Sequence, residues 1–181
     1  MDVGVELVAS EGAQALTLRE IARRAGVSHG APRRYFPTHL ELLSAIARRG
    51  FADLDERAGG AIGDGTASPR AQVTALGRVY LEFALDNPGM YELMFRHDLL
   101  ESGHLGLRTT SLPLFGVLVD LVGRARPDVD ARLVAGALWA NLHGLVQLWR
   151  WGSLQLATGA NDFVPLLRSA LDAHLGPEAA L

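Results

Sequence analysis

The sequence predicts an all-α protein in which an N-terminal module of three short helices precedes a larger helical body, about nine helices in all. Three observations lead there. Apolar residues recur at i, i+3, i+4 and i+7 in most segments, and no stretch sustains the alternation of a half-buried strand. Gly, Pro and Asp interrupt those segments at helix-like intervals. Of the 181 residues 49% are apolar, with a formal net charge of -3, so a packed core is within reach and wholesale disorder is not expected.

Each element has its own signal. Val3, Leu7 and Val8 make a first helix that Gly12 closes in the left-handed conformation. Thr17 and Glu20 form a T-x-x-E capping box for a second helix, whose Leu18, Ile21, Ala22 and Ala25 share one face. Gly26 ends it, Val27 is expected to plug the space between helices, and Ser28 caps a third helix that runs into Tyr35-Phe36 and stops at Pro37. A fourth helix covers residues 38–57, followed by a Gly-rich joint over 59–68. Pro69 opens a fifth helix as a first-turn proline, with Val73, Leu76, Tyr80, Phe83 and Ala84 on one face, and Asn87-Pro88-Gly89 breaks it. A short aromatic-rich helix is expected over 90–97, another over 106–124, and the last two over 128–156 and 162–174.

Composition removes several functions. The absence of cysteine excludes disulfides, thiolate metal sites and a cysteine nucleophile. No apolar run approaches the ~20 residues that cross a bilayer, and Asp2 stands where a secretory signal would be positive, so a cytoplasmic protein is expected. No nucleophile elbow, phosphate loop or H-E-x-x-H pattern occurs, so neither catalysis nor a cofactor is expected. His97 and His104, with Asp98 and Glu101 between them, read as a solvated loop and not as a metal site. All seventeen basic residues are arginine; seven face five acids in residues 1–50, whereas ten face fifteen in 51–181. An anion-seeking surface therefore belongs near the N-terminus.

Two short helices joined by a Gly-containing turn of three or four residues describe a helix-turn-helix, here over residues 17–36. The second helix presents His29, Gly30, Arg33 and Arg34 outward, with Tyr35 and Phe36 as anchors at its end. A helix of this width enters the major groove, where Arg donates to guanine edges or phosphate and short side chains allow close approach.

The run TLREIARRAGVSHGAPRRYFPTHLELLSAI, residues 17–46, closely resembles the signature helix-turn-helix of TetR-type transcriptional regulators. The resemblance implies that Thr17, Ser28, Arg34, Tyr35 and His39 contact phosphate, while His29, Gly30 and Arg33 lie where base edges are read. Pro32 and Arg33 stand where the family commonly has an aliphatic residue and Tyr, which separates the base preference of this chain from the usual one. Residue 1 already falls inside the first helix, so the basic arm that often precedes it in the family is either absent or outside this sequence. W-A-N-L-H-G, with Trp139, His143 and Gly144, resembles the Trp-His-Gly (WHG) signature of one C-terminal subgroup. The resemblance implies a cytoplasmic homodimeric repressor, with residues 1–50 as DNA-binding domain and 51–181 as effector-binding and dimerisation domain. It also implies release from a palindromic operator by a small-molecule effector. A helical interaction or small-molecule-binding protein that does not bind DNA is the alternative, but it leaves the Arg-bearing run without a purpose.

In the body, Gly136, Ala140 and Gly144 recur every four residues, a flat stripe on which another backbone can lie close. Phe163, Leu166, Leu167, Ala170, Leu171 and His174 form a broad face on the last helix. Together they are the expected dimer seam. Tyr80, Phe83, Tyr91, Met94, Phe95, Trp139 and His143 form an aromatic and polarizable set with hydrogen-bonding tips, the expected lining of an effector site.

Overall fold

A computed structural model describes residues 1–28, 30–96, 99 and 106–177. Among them are ten α-helices, one 3-10 turn and no strand. The helices are α1 (Asp2–Glu11), α2 (Leu18–Arg24), α3 (Ala31–Tyr35), α4 (His39–Ile62), α5 (Pro69–Asp86), α6 (Pro88–Met94), α7 (Arg108–Ala125), α8 (Ala131–Arg150), α9 (Ser153–Thr158) and α10 (Val164–Leu175), with the 3-10 turn at Ala13–Ala15. The all-α expectation holds. His29, His97, Asp98, Glu101 and His104 lie outside the described residues.

Two compact units emerge from the contacts: Met1–Asp53 with Asp86–Leu112, and Leu54–Leu85 with Pro113–Leu181. The expected division at residue 50 is one of function along the chain; by contact, residues 86–112 join the N-terminal helices. Glycines make that packing possible. A Cβ at Gly89 would run into the Val8 carbonyl oxygen, so α6 can lie on α1 only with glycine there. A Cβ at Gly50 would stand 2.7 Å from the sulfurs of Met90 and Met94. In the second unit α10 packs on α8, and Gly77 of α5 sits under Leu167 and Leu142, whose methyls would be 3.1 and 3.6 Å from an added Cβ.

Several element ends differ from expectation, each for a local reason. Gly12 has φ 80 and ψ 170, a positive-φ extended conformation and not the left-handed helical one. α4 runs through Gly59 and Gly60 to Ile62, because interior glycine costs a helix only ~1 kcal/mol; Gly63, at φ 66, is the stop. α8 starts after Asp130, whose carboxylate accepts from the Arg132 and Leu133 amides at 3.0 and 3.1 Å. Asp128, where a start was expected, is instead held bidentately by Arg126 at 2.8 Å, which lowers its carboxyl to about 2. α8 also ends at Arg150 and not near 156. Gly152 (φ 76) turns the chain into the separate short α9, and Gly159 (φ 70) closes that helix.

Candidate functional site

The helix-turn-helix is assembled by short-range hydrogen bonds. Thr17 Oγ1 accepts from the Glu20 amide at 3.1 Å and starts α2. At the other end Gly26 takes φ 66, its amide donates to Arg23 O at 3.4 Å, and the Val27 amide donates to Ala22 O at 3.1 Å. These two bonds are the Schellman closure, which only a residue tolerant of positive φ permits at that position.

The third helix departs from expectation. α3 begins at Ala31 with Gly30 as its cap residue and no side-chain cap, and Ser28 contributes only its carbonyl, accepting from the Ala31 amide at 2.9 Å. Pro32 explains the shift: it occupies the first helical turn, where a missing N–H breaks no bond. With the start moved, Val27 belongs to the turn and is 48% exposed, so it plugs nothing. Ala22 and Pro32 are the buried residues of the two helices. Nor is Tyr35 an anchor, at 80% exposure, while Phe36 is half-buried.

Thr17, Ser28, Gly30, Arg33, Arg34 and His39 are exposed as well. His39 Nε2 lies on the Leu16 carbonyl; an oxygen that only accepts makes that nitrogen the donor, tying the start of α4 to the segment before α2. A second T-x-x-E box, overlooked in the sequence, caps α4 in both directions. Thr38 Oγ1 accepts from the Glu41 amide at 3.2 Å, and Glu41 Oε2 accepts from the Thr38 amide at 2.8 Å.

The arginines of this module fall into two classes. Arg23 and Arg24 are bound by Glu20 at 2.5 and 2.8 Å, and Arg24 also by Glu11. Hydrogen bonds from Arg23 and then Arg24 hold the Glu20 carboxyl at about 2. Among the described residues Arg33 and Arg34 have no carboxylate partner, so the charge of α3 is left for another anion.

In the body, three residues of the expected effector set meet. Trp139 Nε1 donates to Tyr80 Oη at 3.3 Å, and Tyr80 Oη lies 3.0 Å from His143 Nδ1. Tyr80 Oη, which accepts from the indole, has one proton to give, and it can donate to Nδ1 when neutral His143 carries its own hydrogen on Nε2. Burial pushes the His143 pKa down and favours that neutral form. Phe115, which no sequence signal singled out, tilts against Trp139 with centroids 5.9 Å apart. Phe83 is buried in the same unit under the Arg57 guanidinium, 5.4 Å from its ring centroid. Tyr91, Met94 and Phe95 belong to the other compact unit, where Phe95 meets Tyr91 and Phe51 edge-on at 5.0 and 5.6 Å.

The expected dimer faces divide similarly. At Gly136 and Gly144 an added Cβ would meet nothing within 4 Å, so among the described residues no helix packs closely on the stripe there. On α10, by contrast, Leu167, Ala170 and Leu171 are buried inside their own unit, leaving Leu166 and His174 half-buried, with Phe163 preceding them. Packing on α8 has consumed that part of the face before any partner arrives.

The description "Bacterial regulatory proteins, tetR family" matches residues 1–46, and "Tetracyclin repressor-like, C-terminal domain" matches residues 73–173. The chain belongs to the TetR family. As a TetR-family chain it is 32% identical over 107 residues to the nucleoid occlusion factor SlmA of Actinobacillus pleuropneumoniae, covering 55% of this chain and 50% of that protein. The chain thus spans about half the length of the nucleoid occlusion factors it matches. It is 29% identical over 183 aligned positions to the HTH-type transcriptional regulator Mb3439c of Mycobacterium bovis, covering 100% of this chain and 81% of that one. A solved protein of unknown function from Rhodococcus sp. RHA1 superposes with a TM-score of 0.74 at 26% identity, covering 95% and 89% of the two chains. The TetR-type C-terminal match includes Trp139, His143 and Gly144. Among the described residues no helix is long and apolar enough to cross a membrane, and no group of three or more His, Asp or Glu is placed to hold a metal ion.

Proposed function

We propose that this TetR-family regulator is a repressor that binds a palindromic duplex operator as a homodimer and is released by a small-molecule effector. The observation that carries the reading is the contrast among the arginines. Glu20 and Glu11 neutralise Arg23 and Arg24, whereas Arg33 and Arg34 on the exposed α3 have no such partner. Arg33 reads a base edge, together with Gly30 and His29, and Arg34 contacts phosphate. Thr17, Ser28 and Tyr35 flank α3 with hydroxyl donors for phosphate, and His39 joins them. Two copies of α3 related by a two-fold axis require half-sites about one helical turn of DNA apart.

For the dimer seam, the open Gly136/Ala140/Gly144 stripe of α8 continues into Leu133 and Trp151, each 72% exposed, near its two ends. Half-buried Leu166 and His174 of α10, with Phe163 just before it, add what is left of that face. For the effector, the Tyr80–Trp139–His143 relay supplies polar tips among aromatic faces, beside Phe83 and Phe115; Tyr91, Met94 and Phe95 serve as packing of the N-terminal unit. A ligand with a large apolar surface and one polar group suits such a lining.

Fluorescence anisotropy on duplexes selected from a random pool tests the reading. Arg33→Ala should weaken the selected site about 10–100-fold and scrambled DNA far less, whereas Arg34→Ala should weaken both alike. Unchanged binding in both variants would remove α3 from the interface. Gly144→Leu should shift sedimentation toward monomer; an intact dimer would move the seam off α8.

A further inference from the structure

The N-terminal unit contains a groove that the proposed DNA contacts leave unexplained. It has a volume of about 310 Å3 and runs along α4, lined there by Glu41, Ser44 and Arg48, with Phe36 and Tyr35 from the end of α3. Positions 41, 44 and 48 are i, i+3 and i+7, a single stripe of one helix, so their chemistry is presented together. An acid stands at one end of the stripe and a guanidinium at the other, about 10 Å apart along the helix axis.

Each end has a different status. The Glu41 carboxylate is occupied, accepting from the Thr38 amide at 2.8 Å and from the Thr38 hydroxyl at 3.1 Å. Arg48 has no carboxylate partner among the described residues, and Gly106, which with Pro37 completes the lining, brings bare backbone against it: an added Cβ would be 3.4 Å from Arg48 Nη1. Between them Ser44 is 1% exposed, and among the described residues its hydroxyl has no hydrogen-bond partner. A buried hydroxyl without a partner is uncommon in folded proteins and asks for an explanation. Here Ser44 and Arg48, one turn apart on the same stripe, both line the groove beside Phe36 and Tyr35, and both carry hydrogen-bond donors.

We propose that this groove is a second small-molecule site, distinct from the relay of the body, that takes a small aromatic carboxylate. The ring lies against Phe36 and Tyr35, and the carboxylate accepts from the Arg48 guanidinium and the Ser44 hydroxyl. The size suits such a molecule, since ligand clefts begin near ~300 Å3. The occupant's charge follows from the donors, because the engaged Glu41 is too far along the helix to offer a cation a better seat. Tyr35 belongs both to this lining and to the exposed face of the helix-turn-helix, so occupancy couples to DNA affinity.

Benzoate is the probe, with benzylammonium and benzyl alcohol as charge-reversed and neutral controls, in ligand-observed saturation-transfer NMR on the full chain. Benzoate should receive transfer, and the controls should receive much less. Arg48→Gln should weaken benzoate about tenfold or more, and Ser44→Ala by a smaller factor, with both variants keeping the parent's circular dichroism. Trp139→Ala should leave benzoate binding unaltered, which separates this site from the body's. Duplex affinity should fall further in benzoate than in chloride of the same ionic strength, and this excess should vanish in Arg48→Gln. Equal benzoate binding by the parent and Arg48→Gln, preference for benzylammonium, or loss on Trp139→Ala would each overturn the site; equal duplex affinity in benzoate and chloride would overturn its coupling to Tyr35.

Discussion

The helix-turn-helix of residues 17–36 and the body are held together by opposite means. In the first, α2 and α3 bury only Ala22 and Pro32, and the shape comes from a cap, a Schellman turn and the Glu20–Arg23 and Glu20–Arg24 ion pairs, all spanning five residues or fewer, with the Arg24–Glu11 pair as the longer tie. In the second, the decisive bonds join distant positions. Tyr80 meets His143 across 63 residues, and Arg70 reaches across 102 to Asp172 and across 106 to the Gly176 carbonyl. Arg126 adds a 3.5 Å bond to the His174 carbonyl, so two arginines serve the C-terminal end of α10, where helix carbonyls lack partners. A surface built from local bonds can change its exposed residues without unfolding. A body built from distant ones cannot.

The sharpest way to break this contrast is at a helix crossing of the body. Gly77→Leu would drive a side chain into Leu167 and Leu142, and overpacking at so close an approach should cost about 3 kcal/mol in urea unfolding. The same change at Gly30, where an added Cβ meets nothing within 4 Å, should alter stability by less than about 0.5 kcal/mol. Comparable losses at the two positions would erase the distinction.

Next in size is the relay. Tyr80→Phe removes the hydroxyl that accepts from Trp139 and donates to His143, and should cost about 1–3 kcal/mol. Its pH dependence has a definite sign. Burial lowers the His143 pKa in the folded chain, so below about 6.5 the unfolded chain binds the proton more readily. The stability due to neutral His143 is complete above that pH and is lost as pH falls toward the folded value. Urea midpoints between pH 8 and 5 should therefore decline more steeply for the parent than for His143→Gln.

Caps in the N-terminal unit should give smaller effects. Thr38→Ala removes one half of a reciprocal box and should cost about 1 kcal/mol, read from thermal unfolding. Smallest is Glu20→Gln, expected to leave the fold intact while releasing Arg23 and leaving Arg24 to Glu11 alone. Non-specific duplex affinity should rise severalfold, and the slope of log K against log salt should steepen by about 1–2. No change in that slope would mean that neither arginine reaches the phosphates.

Legibility follows the same contrast. Thr17, Gly26, Pro69, Asn87-Pro88-Gly89 and the seven-against-five charge excess were readable because each acts within a few residues, and the helix-turn-helix was found from them. The Thr38–Glu41 box carried the same signal as the first and was readable too. The start of α3 was misplaced because Ser28 and Pro32 compete to define a helical first turn, and a sequence pattern alone does not weigh them. The end of α8 was overrun because its apolar period continues past Gly152, whose φ of 76 breaks the helix.

By itself the sequence determined the helical class, the order of most elements and the place of the helix-turn-helix, since periodicity, caps and glycine turns are properties of neighbours in the chain. Only the tertiary structure decided which aromatic residues meet. It placed Tyr80 with Trp139 and His143 while assigning Tyr91, Met94 and Phe95 to the other compact unit. It also decided that Leu167, Ala170 and Leu171 are spent on the core of their own unit, whereas among the described residues nothing packs closely at Gly136 or Gly144. An apolar face looks the same in sequence whichever partner covers it. The choice among partners belongs to packing, where volumes, close approaches and the pairing of buried polar atoms must be satisfied together.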